Sequence, residues 1–85
     1  MKRIESYQDL NKLYEKGVRK VHVDYNLDKW CLPEEELVCG IHTIDIDEFG
    51  RLDLIDSNKC GIGVIDTCMC DNMIVVYELE MTKNE

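Results

Sequence analysis

The order of apolar and polar positions sorts the chain into one helix followed by strands. Tyr7, Leu10, Leu13 and Tyr14 recur at helical spacing and make one apolar face. Ser6 precedes them as a helix N-cap. Asp9 stands three residues on, in the capping-box position, and its charge suits the helix N-terminus. Lys16 and Gly17 close the pattern, the glycine as the left-handed residue beyond the last turn. The spacing predicts a helix over residues 6–16. The period then changes to two. Val21, Val23 and Tyr25 alternate with Lys20, His22 and Asp24, which predicts a strand over 18–25 with His22 on its polar face. Over 38–46, His42, Ile44 and Ile46 share one face and Thr43 and Asp45 the other. Leu52 and Leu54 point inward from a third strand over 51–56. A fourth strand is expected over 62–67, interrupted by Gly63. In the last strand Met73, Val75, Tyr77, Leu79 and Met81 alternate with Ile74, Val76, Glu78 and Glu80, the first set taken as inward.

The connections read as turns. Asp47-Glu48-Phe49-Gly50 is a hairpin turn, with glycine where positive φ is tolerated. Residues 57–61 and 68–72 make two more. Residues 26–38 are irregular. Trp30 is expected to anchor this loop by burial, and Pro33 before Glu34, Glu35 and Glu36 suits the first turn of a short helix. Strands joined by short turns are expected to pair with their neighbours in sequence. The predicted fold is α+β, one domain over 1–85, with an N-terminal helix packed on a mostly antiparallel sheet of about five strands.

Length makes the cysteines informative. A chain of 85 residues buries only ~60–65% of the surface its unfolded form exposes, so a metal staple would help it. No apolar stretch reads as a signal peptide or a membrane span, so a cytosolic location is expected. Disulfides are rare there, and five cysteines cannot all pair within one chain. Metal ligation, buried thiols and redox chemistry remain. Cys39 and His42 form a Cys-x2-His pair, and Cys68 and Cys70 a Cys-x-Cys pair. Two such pairs suit a tetrahedral structural Zn2+. Ordinary alternation sends Cys39 and His42 to opposite faces, so the reading needs Gly40 to supply a bulge or tight turn. Cys31 and Cys60 are the reserve ligands. Asp45, Asp47, Gly50 and Asp56 imitate a calcium loop, but Phe49 stands where a ligand belongs and the flanks read as strands.

Charge narrows the function. The net charge is −8. Residues 1–33 carry seven Lys/Arg and five Asp/Glu, a balance of +2, and residues 34–85 carry three and thirteen, a balance of −10. The acidic half repels phosphate backbones and excludes direct nucleic-acid binding, but suits a basic protein surface. Catalysis is not expected. His22 and His42 come with no nucleophile motif, and no Gly-rich phosphate loop is present. Alternation places Asp45, Asp53, Glu78 and Glu80 outward on the sheet. Asp47, Glu48 and Phe49 extend that surface as an acidic turn with an aromatic anchor.

In size, single-domain form, lopsided acidity and lack of catalytic machinery the chain resembles the small anti-CRISPR inhibitors of phages and prophages. The acidic residues concerned are Glu34, Glu35, Glu36, Asp45, Asp47, Glu48, Asp53, Asp56, Asp66, Glu78 and Glu80. The Cys/His content is similar to that of a metal-containing inhibitor of type II effectors. The resemblance implies an acidic protein in the cytoplasm of a bacterial host, a monomer in preference to an oligomer. It would bind the basic lobes of a Cas9-type nuclease and block guide or target-DNA loading. The alternative is a zinc-stabilised cytosolic adaptor with no inhibitory role.

Overall fold

The computed structural model describes residues 2–30 and 37–79. A two-residue strand, β1 (Arg3–Ile4), leads into α1 (Tyr7–Glu15). Ser6 caps α1: its Oγ accepts from the Asp9 N–H at 3.1 Å, and Gly17 leaves the helix at φ +99°. The chain continues through β2 (Lys20–Tyr25) and a 3₁₀ turn (Leu27–Lys29) capped by Asn26. It then forms β3 (Gly40–Ile46), β4 (Leu52–Ile55), α2 (Ile65–Cys70) and β5 (Ile74–Glu78). All pairings are antiparallel, in the order β1-β5-β2-β3-β4.

Alternation decides which face is buried. Ile4, Val21, Val23, Ile44, Leu52, Leu54, Ile74 and Val76 point to one side of the sheet. There they meet Leu10 of α1 and Ile65, Cys68 and Met69 of α2. α2 packs on β4 and β5, and α1 on β1 and α2. Each fully buried aliphatic side chain in this layer contributes about 1.5–3 kcal/mol. The opposite face carries Lys20, His22, Asp24, Ile41, Thr43, Asp45, Asp53, Ile55, Val75 and Tyr77. Among the described residues, no helix covers it.

The α+β class, the helix and a five-stranded antiparallel sheet agree with the sequence expectation. The strands themselves differ. Residues 62–67 do not form a fourth strand. Gly63 turns the chain at φ +88°, and α2 starts at Ile65 and runs through the expected turn at 68–72. Ile65, Cys68 and Met69 stand at helical spacing and bury one face, which outweighs the β-branched Val64, Ile65 and Thr67. The fifth strand is instead β1. Sequential pairing also fails, because β5 leaves β4 and inserts between β1 and β2.

The phase of β5 is reversed as well. Ile74 and Val76 are buried, whereas Val75 and Tyr77 lie on the open face, Tyr77 opposite His22. Both sets of the alternation, Ile74 and Val76 on one side and Val75 and Tyr77 on the other, are apolar, so the pattern alone does not announce the inner face. The short helix expected after Pro33 falls outside the described residues.

Candidate functional site

The two ends of the sheet carry different chemistry. At one end β2 stops, β3 starts, β4 stops and β5 starts. Cys39 stands just before β3, Cys60 in the connection after β4, and Cys68 and Cys70 on α2 leading into β5. Tyr25, the last residue of β2, is half-buried among them. Its hydroxyl lies 3.2 Å from His42 Nε2, and its ring meets Trp30 edge-on at 5.4 Å. Trp30 is half-buried too. Its Nε1 donates to the Met73 carbonyl at 2.7 Å, which ties the 3₁₀ turn to the entry of β5. Burial, then the negative charge of Asp56 and of Cys39, Cys68 and Cys60, pushes the Tyr25 hydroxyl up to about 12.

This arrangement tests the zinc expectation. His42 is 0% exposed. Its Nδ1 lies 3.0 Å from the Gly40 carbonyl, which only accepts, so Nδ1 carries the proton and Nε2 accepts from Tyr25. Gly40 does adopt positive φ (+123°), yet Cys39 stays exposed while His42 points into the core. Cys68 and Cys70 lie two apart on a helix and so face different directions. Cys68 is buried. Cys70 is exposed and lines a groove with Ser6, Tyr7 and Asp66 beside α1. The structure therefore does not bring Cys39, His42, Cys68 and Cys70 together. Among the described residues, no three His, Cys, Asp or Glu side chains are placed to hold an ion. Of the reserve ligands, Cys60 is exposed and near Tyr25, and Cys31 lies outside the described residues. Burial, with Asp71 and Asp66 nearby, raises the Cys68 thiol above its ordinary value and disfavours the thiolate.

At the other end the β3–β4 hairpin projects. Asp47 builds its turn: Oδ1 accepts from the N–H groups of Phe49 at 2.8 Å and Arg51 at 2.9 Å. Gly50 takes φ +80°. Those backbone bonds, the Arg51 one foremost, with the Arg51 guanidinium 3.5 Å away, hold the Asp47 carboxyl below its usual range. Phe49 at the tip is 72% exposed, the Arg51 guanidinium 5.4 Å from its ring centre. Glu48 is exposed beside it. Asp45 and Asp53 are opposite each other in the strand register, and Asp53 Oδ1 accepts from the Gly63 N–H at 2.8 Å, which ties it to the connection after β4.

Five of the seven predicted contact residues, Asp45, Asp47, Glu48, Phe49 and Asp53, therefore share one hairpin. Glu78 does not join them. By register Glu78 opposes Val21, on the helix side of the sheet, and pairs with Lys2 at 3.9 Å. Glu80 lies outside the described residues. His22, expected on the polar face, is there, 2.9 Å from Asp24.

One feature escapes the sequence reading. Lys2, Arg3, Lys12, Lys16, Arg19 and Lys20 line two adjoining grooves that share Lys16 and Glu78. They are six of the chain's ten Lys/Arg, opposed there, among the described residues, by Asp9 and Glu78. The +2 balance of residues 1–33 was the available signal, diluted by five carboxylates in the same stretch.

No helix among the described residues is long and apolar enough to cross a membrane. The chain matches no model of a known protein family, no characterised protein and no solved structure.

Proposed function

We propose that this protein acts by binding, with the acidic β3–β4 hairpin seated in a basic groove of a nucleic-acid-handling partner such as a Cas9-type nuclease. The observation that carries the reading is the hairpin tip. A 72% exposed phenylalanine stands on a turn held by side-chain and backbone hydrogen bonds. Asp47 and Glu48 stand beside it in the turn, and Asp45 and Asp53 follow on the two strands. An aromatic anchor flanked by charge is the composition of a binding hot spot, and a preformed turn loses little entropy on docking. Asp45 and Asp53 stand opposite each other in the register and add negative charge to the same hairpin, which suits a cationic surface. Such a contact denies the groove to guide RNA or target DNA, as in the anti-CRISPR inhibitors the chain resembles. No metal is part of this proposal.

The test is inhibition of a Cas9-type nuclease by the parent and by two variants, Phe49→Ala and Asp45→Lys with Glu48→Lys. Phe49→Ala is expected to weaken binding by about 2 kcal/mol or more, the scale of a hot-spot truncation. The charge reversal should slow association and remove its salt dependence. Folded variants that inhibit as well as the parent, or a parent that never inhibits, would overturn the reading.

A further inference from the structure

We propose that the protein also associates with itself head to tail, the acidic hairpin of one copy docking in the basic groove of the next. The groove lies between the end of α1, the start of β2 and the end of β5, with a volume of about 450 Å³. Lys16, Arg19 and Lys20 supply its charge, with Glu78 the only carboxylate on its wall among the described residues. Val18, Leu79 and the lysine stems make it largely apolar inside. Arg19 is fixed in place: its guanidinium donates to the Tyr14 carbonyl at 2.8 Å and stacks 3.8 Å from the Tyr14 ring centre. The cationic rim is thus partly preorganised.

Charge and shape select the occupant. The groove asks for an apolar side chain flanked by carboxylates, and Phe49 with Asp47 and Glu48 is such a group. Within one molecule the tip cannot reach it. The hairpin is locked by the pairs Ile46↔Leu52 and Asp45↔Asp53 and by the Asp47 hydrogen bonds, so it stays on its own edge of the sheet. Nucleic acid would also meet these cations, but the rest of a chain of net charge −8 repels it. A second copy repels too at long range, so association is expected to be weak and to need close apolar contact as well as charge. The two surfaces differ, so the contact is heterologous. It leaves a free tip at one end and a free groove at the other, and larger species form as concentration rises. This inference does not rest on the function proposed above.

The experiment is sedimentation velocity over a concentration series with two variants. Phe49→Ala with Glu48→Lys disables the tip. Lys16→Glu with Lys20→Glu disables the groove and leaves Arg19 untouched. Circular dichroism checks that each folds. The parent should show a sedimentation coefficient that rises with concentration and falls back at high salt. Each variant alone should associate about tenfold more weakly or not at all, the scale of losing a central anchor or its matching charges. Mixed, they should restore a dimer and nothing larger, because the mixture holds one intact tip and one intact groove per pair. A parent that stays monomeric, variants that assemble like the parent, or a mixture that remains monomeric would each overturn the proposal. So would a monomeric parent that binds duplex DNA through the groove, which would assign the groove to nucleic acid.

Discussion

The two ends of the sheet solve the problem of a turn in opposite ways. At the cysteine end, several connections crowd together and fix one another through Tyr25, Trp30 and His42. The backbone there depends on distant side chains: Trp30 is held by Met73, and Asn26 by Asn72. At the hairpin end, five consecutive residues satisfy each other, and the tip owes nothing to the rest of the molecule. The first end is coupled to the core and the second is free to present side chains outward. Two of the chemistry-bearing residues, Cys68 and His42, serve packing here and are buried with the core, whereas Cys39, Cys60 and Cys70 are exposed.

The contrast is broken most strongly by truncating an aromatic at each end. Trp30→Ala removes the edge-on contact with Tyr25 and the hydrogen bond to Met73, and is expected to cost about 2–4 kcal/mol. Phe49→Ala, at an exposed position, should change unfolding by less than about 0.5 kcal/mol. Urea denaturation of both variants decides the matter, and equal effects would erase the distinction between the ends.

A smaller loss is expected at Gly61. A methyl group there would run into the Asp53 carboxylate and crowd Ile55. That contact closes the connection after β4, where the Gly63 N–H donates to Asp53 at 2.8 Å. Gly61→Ala should lower stability by about 1–3 kcal/mol through overpacking. A thermal midpoint equal to the parent's would mean that this connection is looser than its geometry indicates.

The Tyr25 environment sharpens the comparison by pH. The folded-state value of about 12 lies above the ordinary 10.0, so the folded state keeps its proton longer. The tyrosine's contribution is complete below pH 10 and is lost as pH rises through about 12. Ultraviolet titration should show a late phenol that Tyr25→Phe removes. A parent without that late component would place Tyr25 in open water.

The mildest probe is thiol chemistry. Alkylation of the four described cysteines should reach Cys68 last, since it is buried and its thiolate is disfavoured, while Cys39, Cys60 and Cys70 are exposed. Elemental analysis on the same samples should find Cys70→Ser unchanged from the parent in metal content. Loss of zinc in that variant would reinstate the ligand set read from the sequence.

What the sequence made legible was local. Ser6, Asp9 and Gly17 announced α1 because capping is settled by adjacent residues. Asp47 and Gly50 announced the hairpin for the same reason. Asp45 to Asp53, the acidic surface, followed from the period of the two strands that the hairpin joins. The failures were all non-local. β1 is two residues long and exists only because β5 offers it an edge. The inner face of β5 depends on which strands flank it. Spacing alone did not say how Cys68 and Cys70 point, and the helical conformation of α2 faces them in different directions. The basic grooves needed the sheet before residues from β1, α1 and β2 could be seen as one surface.

The placement of β5 bears on how the protein is made. It lies between β1 and β2, yet it is the last described strand to leave the ribosome. Until it arrives, Val21 and Val23 belong to a strand with one edge unpaired, and β1 has no partner at all. The intervening residues take several seconds at usual rates of translation. During that interval the nascent chain holds a partial sheet with an open edge, the kind of surface that pairs with other chains. Closure by a late central strand thus makes synthesis a stage at which a partial sheet would present an unpaired edge to other chains.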